Sequence, residues 1–222
     1  MKNFSWSLDI STTNIGMALW DDSGKLVELK HLELKIDKSI PNEDRTLHKA
    51  DLFKDYVLNY KKHVKDEYDG EITNVFIEAP FSNTPKNINT TALLLSFNGM
   101  VRYMLYKIFD NPPMLISVYI SRKLFCPELI KTTKKRDGTI KETLSFPKGV
   151  DKKEYIWKKV ANLEPDIKWF YTRTGKLKGS SFDMSDAVCV GHSCLQILGV
   201  IDRNIFFKKN EECIKSLQIA SS

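Results

Sequence analysis

Polar and apolar positions alternate from the start of the chain, with Phe4, Trp6, Leu8 and Ile10 separated by Ser5, Ser7 and Asp9. A period of two is that of a β-strand with one buried face, and it puts Asp9 on the side opposite the apolar set. A turn at residues 12–14 leads to a second apolar run at 15–20. Asp21-Asp22-Ser23-Gly24 has the composition of a hairpin turn, and residues 26–34 alternate Leu and Val with charge. These runs predict three antiparallel strands in a meander. From Pro41 the period lengthens, and Leu47, Ala50, Leu52, Phe53, Tyr56, Val57 and Tyr60 mark one face of a helix predicted over 41–65. An apolar strand at 74–79 and a polar loop at 80–89 follow. Next come a helix at 90–109, striped by Leu93, Leu94, Phe97, Val101, Met104, Leu105 and Ile108, and a fifth strand at 114–119. The order β-β-β-α-β-α-β requires parallel crossovers beside the meander. The expected fold class is α/β: a mixed five-stranded sheet, three antiparallel strands plus two parallel, flanked by helices on both faces.

The second half is less regular. Within 126–148, Lys134-Lys135-Arg136-Asp137-Gly138-Thr139 reads as a hairpin tip with its turn at Asp137-Gly138. Asp151 is placed to cap a helix ending near Leu163, which Pro165 limits. An aromatic and basic connector at 169–181 leads to a closing helix predicted over 183–198, with Ala187, Val188, Val190, Cys194, Leu195 and Leu198 on its buried side. At 222 residues, without repeats or low-complexity segments, the chain is expected to form one domain over 1–222 with a basic insertion at about 126–148.

No apolar run approaches the roughly 18 residues of a membrane span, and no basic stretch followed by an apolar core marks the N-terminus. A soluble, intracellular and cytoplasmic protein is expected. Cys126, Cys189, Cys194 and Cys213 form no C-x-x-C pair and have no His at zinc-ligand spacing, which predicts reduced, mostly buried thiols. His31, His48, His63 and His192 are assigned structural or surface places; His192 falls about 240° around an ideal helix from Asp186. The net charge of +6 is unevenly spread. Residues 131–153 carry eight basic and three acidic side chains and residues 168–178 four basic and none acidic, so these stretches hold +9 and the remainder −3. Concentrated positive charge is an electrostatic footprint for phosphates.

Four acids stand out against this background. Asp9 lies near the end of the first strand, Glu78 ends an apolar run, and Asp183 and Asp186 open the closing helix with an i, i+3 spacing that shares one face. Hard divalent cations such as magnesium take carboxylate oxygens, and two of them can hold the attacking and leaving oxygens of an in-line phosphodiester hydrolysis. Taken singly, each acid also suits a turn or cap, Asp183 an N-cap in particular. The joint pattern points to a metal site, because four carboxylates gathered without a cation repel one another.

The same residues carry a resemblance. Asp9-Ile10-Ser11-Thr12-Thr13-Asn14-Ile15-Gly16 is similar to a D-x-G/S-x-x-x-x-G pattern, Glu78-Ala79-Pro80-Phe81 to E-x-x-F, and Asp183-Met184-Ser185-Asp186-Ala187 to D-x-x-D-A. In these motifs, and in the order of elements over residues 4–199, the chain resembles the RuvC family of Holliday-junction resolvases in the ribonuclease H-like superfamily. The resemblance implies a metal-dependent endonuclease that cuts four-way or other branched DNA and leaves 5′-phosphate ends. Asp9, Glu78, Asp183 and Asp186 would be its catalytic carboxylates around two Mg2+ ions, with Mn2+ as the alternative metal. Asp9 would bridge the ions, and Asp186 would hold a metal or position the water. The family's phosphate-neutralising lysine matches Lys152 best, with Lys153 and Lys148 as competitors and a solvated helix face as the other reading. Phe81 would stack on an unpaired base or pack in the core.

DNA contacts are expected from Phe81, Lys86, Lys134, Lys135, Arg136, Lys148, Lys153, Arg173, Lys176 and Lys178. Two symmetric nicks call for a homodimer, with the 90–109 helix as its candidate interface, and neither a membrane nor a nucleotide cofactor is expected. Ser11 replaces the Gly common two residues after the first acid. The segment 126–147 exceeds what the simplest bacterial members need, and serves either as a DNA-gripping hairpin or as a docking site; with the lysine-heavy composition it suggests a phage or mobile-element type. Two other readings stay open. One is a non-catalytic branched-DNA-binding protein of the same fold. The other is an actin-like or sugar-kinase ATPase domain, which needs a second phosphate loop and a Gly-rich adenosine segment that are not visible.

Overall fold

A computed structural model describes residues 1–80 and 88–202. Phe81, Lys86 and Cys213, singled out above, lie outside the described residues. The chain forms β1 (Lys2–Ile10), β2 (Asn14–Trp20), β3 (Leu26–Glu33), α1 (Arg45–Tyr68), β4 (Gly70–Glu78), α2 (Ile88–Phe109), β5 (Met114–Ile116) and α3 (Val118–Phe125). A 3-10 turn at Pro127–Leu129 precedes β6 (Ile130–Lys134), β7 (Ile140–Leu144), α4 (Lys152–Leu163) and α5 (Gly179–Ile197). The main sheet has the order β3-β2-β1-β4-β5, antiparallel within the meander and parallel from β1 to β4 to β5. β6 and β7 form a separate two-stranded sheet.

Both faces of the main sheet are covered. Phe4, Trp6, Leu8 and Ile10 of β1 join Ile15, Met17 and Leu19 of β2 in a core closed by Phe53, Val57, Tyr60 and Val64 of α1 and Phe97, Val101 and Leu105 of α2. On the other face Ala18, Trp20, Phe76 and Ile116 pack with α5, α4 and Phe125 of α3. β1 is therefore buried on both sides, where alternation predicted one wet face. Ser7 is fully buried because its hydroxyl is satisfied: Trp20 Nε1 donates to it at 2.9 Å and it donates to the Ala187 carbonyl at 2.8 Å.

Local chemistry explains the turns. Ser11 Oγ accepts from Asn14 N at 2.9 Å and donates to Asn14 O at 2.8 Å, so serine ties the β1–β2 turn, and only Asp69 and Asp110 among the described non-glycine residues have positive φ. Asp21 Oδ1 accepts from the amides of Ser23 and Lys25, and Gly24 adopts φ +80°. Asp151 caps α4, accepting from Lys153 N and Glu154 N.

Several boundaries differ from expectation. α1 starts at 45 and buries Phe53, Val57, Tyr60 and Val64, whereas Leu47 and Leu52 are exposed; Leu52 sits about 100° around the helix from Phe53. Leu93 likewise lies off the buried side of α2. β4 begins at 70, directly after Asp69 ends α1 in a left-handed conformation. The fifth strand stops at Ile116, because the Ser117 hydroxyl accepts from Ile120 N and caps α3, a helix the apolar run 114–119 concealed. α5 starts at 179, four residues before Asp183, which is therefore no N-cap. Cys126, Cys189 and Cys194 are free and buried. No helix among the described residues is long and apolar enough to cross a membrane.

The edge strand β3 is fastened to α1 through Glu28. Its Oε2 accepts from Tyr60 at 2.8 Å and pairs with Lys30 at 2.7 Å, while Oε1 meets Tyr68 at 2.6 Å and His63 at 2.7 Å. Burial pushes this carboxyl up, but hydrogen bonds from Lys30, Tyr68, His63 and Tyr60 together bring it from 4.5 down to about 2. A carboxyl depressed by folding contributes stability that is complete above its ordinary value and is lost as pH falls from 4.5 towards about 2. Glu28→Gln is expected to cost roughly 1–3 kcal/mol at pH 7 and to flatten that acid limb, measured by urea unfolding between pH 2 and pH 7. An unchanged acid limb would show that the network is not what holds β3.

Candidate active site

The register of the sheet lines up the first part of the site. Leu8 pairs with Ile77 across the parallel β1–β4 ladder, so the next residues, Asp9 and Glu78, flank each other on one face. Asp9 pairs with Gly16 of β2, and Gly16 with His31 of β3. Glu78, Asp9, Gly16 and His31 thus form a row across four strands, on the face covered by α5.

α5 lies with its backbone against this row. A Cβ on Gly16 would stand 2.0 Å from the Asp183 carbonyl oxygen, and one on Gly191 would stand 2.2 Å from Trp20 Nε1 and 2.4 Å from Ser7 Oγ. Two glycines therefore let the helix touch the sheet. Asp183 and Asp186, one helical turn apart, are carried to the acids of β1 and β4, and Asp186 is only 6% exposed.

Two cations and a histidine frame the acids. Lys153, in the first turn of α4, places Nζ 3.8 Å from Asp183 Oδ1 and 3.9 Å from Asp186 Oδ2. Arg122 of α3 lies 3.7 Å from Asp186 Oδ1. His31 Nε2, buried and without a hydrogen-bond partner, lies 3.7 Å from Asp183 Oδ2. The Lys153 and Arg122 contacts are at ion-pair distance, and all of these separations are too long for hydrogen bonds.

The charge is not balanced. Burial, then Glu78, Asp186 and Asp183, hold Asp9 well above the usual carboxylate range against the opposing pull of Lys153. Burial and Asp186 push Glu78 up to about 7, opposed by Arg122 and Lys153. Burial also raises Asp186, against Arg122 and Lys153, and Asp183, against Lys153 and His31. His31 itself is lowered by burial, against Asp183. Four acids within one another's field, with an oxygen-only donor set, suit a hard divalent cation, which would favour their charged forms. As the side chains stand, no three His, Cys, Asp or Glu groups among the described residues converge closely enough to hold one ion. The donor chemistry fits a divalent metal, and the carboxylates must rotate to share it.

Other sequence-derived residues fall elsewhere. Lys152 turns away, with Nζ 5.8 Å over the Phe146 ring, so Lys153 rather than Lys152 stands beside the acids; the N-capped first turn of α4 points adjacent residues in different directions. Lys148 is exposed, Lys134, Lys135 and Arg136 occupy the exposed β6–β7 hairpin, and Arg173, Lys176 and Lys178 lie exposed in the connector before α5. None of these makes an ion pair with the four acids. His31 and Arg122 were missed. Counting register from the turn at 21–25 would have put Lys30 opposite Gly16; a shift in the β2–β3 pairing between Leu19 and Trp20 brings His31 into the row instead, and Arg122 was hidden by reading the start of α3 as strand. His192 packs edge-on to Trp20 and Phe125, in a structural place.

No protein-family model matches the chain, and no curated protein matches it in sequence. Among solved structures it is similar to the Thermus thermophilus RuvC determined in complex with a Holliday junction substrate, with a TM-score of 0.52 and 9% identity, covering 89% of this chain and 96% of that one. It is also similar to the yeast mitochondrial Holliday junction resolvase, with a TM-score of 0.51 and 12% identity, covering 92% and 83%. At such identities the likeness concerns the fold: the chain has the ribonuclease H-like architecture of RuvC.

Two outcomes follow from this geometry. Gly191→Ala is expected to cost about 1–3 kcal/mol, because the added methyl forces α5 off Trp20 and Ser7, and chemical denaturation measures it. Glu78 carries a folded pKa of about 7 against an ordinary 4.5, so metal-free protein should lose stability as pH rises through that window. Glu78→Gln should reduce the loss, the part due to the other three raised acids remaining, and raise the melting temperature of metal-free protein at pH 8. Magnesium should raise it in wild type more than in the variant; equal melting of the two metal-free proteins at pH 8 would contradict the assignment.

Proposed function

We propose that the protein is a structure-selective endonuclease that resolves Holliday junctions or other branched DNA by metal-dependent phosphodiester hydrolysis. The observation that carries this reading is the mutually interacting set of half-buried Asp9, Glu78 and Asp183 with buried Asp186, edged by the half-exposed ammonium of Lys153. These four carboxylates would hold Mg2+ or Mn2+, two ions per site. When bound, the metal supplies Lewis acidity for the attacking water and the departing oxygen.

The remaining work falls to the chain's own groups. Lys153 is 52% exposed at its side chain and free to turn from the acids towards a phosphate, where an ammonium offsets developing negative charge. Arg122, largely buried, holds Asp186 from the opposite side, and His31 faces Asp183 across the Gly16 gap. Both would restrict the directions in which those carboxylates present their oxygens. Exposed cations at Lys148, Arg173, Lys176 and Lys178 would bind the DNA backbone around the site, a sequence-independent attraction.

Two strands must be cut to resolve a junction, so a homodimer with paired sites belongs to the proposal. Exposed Leu95, Tyr103 and Tyr106, which share one side of the helix, support α2 as its interface.

The test is a synthetic four-way junction with magnesium. Asp9→Asn should bind it as wild type does and cut at least about 100-fold more slowly. Lys153→Gln should slow cutting by roughly 10-fold or more, and Lys152→Gln by less than about twofold, since only the first reaches the acids. Equal cutting by wild type and Asp9→Asn would sink the proposal.

A further inference from the structure

The β6–β7 hairpin stands apart from the sheet that holds the site. Every residue from 131 to 140 is exposed, and a lone two-stranded hairpin is marginal in water. Its root, however, is fastened. Ser145 N donates to Leu129 O at 2.8 Å, Leu144 and Phe146 pack into the second core, and the Tyr119 hydroxyl of α3 donates to Glu142 O at 3.0 Å.

The charge of the hairpin is one-sided in sign. Lys131, Lys134, Lys135, Arg136 and Lys141 face two acids, and both acids are occupied. Asp137 Oδ1 closes the turn, accepting from Thr139 N at 2.9 Å and Thr139 Oγ1 at 2.6 Å, and Glu142 pairs with Lys123 of α3. None of the five cations has an ion-pair partner among the described residues. The register pairs Lys131 with Thr143 and Thr133 with Lys141, so one face of the ribbon carries two ammonium groups and two hydroxyls.

This ribbon is coupled to the acidic site through consecutive residues. Arg122 reaches Asp186 while Lys123 holds Glu142 at the hairpin root. Beyond β7, Phe146 meets Tyr155 of α4 edge-on at 5.6 Å, in the helix whose first turn bears Lys153. Five-residue strands reach about 17 Å from that root, the length of about five base pairs of duplex.

We infer that the β6–β7 hairpin is a clamp for a duplex arm of the DNA substrate, its cations taking backbone phosphates while the ribbon lies along a groove. A B-form major groove admits a two-stranded ribbon, and lysine, arginine and threonine are backbone-positioning donors. The clamp reads no sequence; it adds affinity for the arm that leaves the site on the α3 side. This inference rests on the proposed action on branched DNA and extends it to a second contact region.

The test compares wild type with the charge variant Lys131→Gln/Lys135→Gln/Arg136→Gln/Lys141→Gln, whose hairpin and melting temperature should be preserved because all four side chains are exposed. Junctions with arms of about 25 base pairs and of about 4 base pairs are titrated across salt concentrations, since counterion release scales with phosphates contacted. The variant is expected to bind the long-armed junction at least 10-fold more weakly, with the slope of log K against log salt reduced by about 3, and to differ much less on short arms. A second variant, with residues 132–142 replaced by Asn-Gly, should behave alike. An unchanged salt slope on long arms in both variants overturns the clamp, in favour of a docking site for an acidic protein. Equal losses on long and short arms overturn it too. Wild type that binds junctions with the expected slope change but does not cut them would support the clamp while sinking the nuclease reading, and wild type without affinity for junctions sinks both.

Discussion

Close contact between the α5 backbone and strands β1 and β2 is the constraint on which the rest depends. Gly16 and Gly191 supply the absent side chains, and Ser7 joins the layers by linking Trp20 to the Ala187 carbonyl. At this separation a carboxylate on α5 and one on β1 must share a small volume, and the i, i+3 spacing delivers two from the helix at once. A bulkier residue in the row would lift α5 and disperse the acids while leaving the strands intact. Hydrophobic burial on both faces of the sheet supplies the driving force that holds like charges together.

Two glutamates show how environment divides one residue type between structure and chemistry. Glu28 sits among two tyrosines, a lysine and a histidine, and these partners outweigh burial and hold it down at about 2. Glu78 is half-buried beside other acids, with Arg122 and Lys153 only partly compensating, and rises to about 7. The first arrangement stabilises a strand edge. The second keeps charge that folding leaves unsatisfied, which is characteristic of sites selected to bind a cation or move a proton.

The helices after the sheet give that charge its frame. Lys159 of α4, nearly inaccessible to solvent, bonds both oxygens of Glu128 at 2.8 and 2.9 Å and lies 5.2 Å over the Phe125 ring. This buried pair fixes α4 against the turn after α3, and so sets where Lys153 and Arg122 stand relative to Asp186. Breaking a buried pair by removing one partner is costly, so the backbone that carries Lys153 is held firmly while its half-exposed side chain can still turn. The hairpin grows from the same frame, which links its placement to that of the acids.

Local pattern carried much of this in the sequence. The meander, the Asp151 cap, the Asp137-Gly138 turn and the strand holding Glu78 were legible because each depends on neighbours a few residues away, and the four acids were legible because they recur at spacings a motif can record. Three things were not. Ser117 ends a strand and starts a helix within one apolar run, a choice that period alone does not settle. Lys153 and Lys152 are adjacent in sequence, and only the seat of α4 on the second core decides which one meets the acids. His31 reaches Asp183 because a register shift between Leu19 and Trp20 puts it, rather than Lys30, opposite Gly16, and because α5 fills the gap that glycine leaves. The order of residues thus determined which elements form and which groups they carry; the distance between helix and sheet, set by long-range packing, decided which of those groups meet.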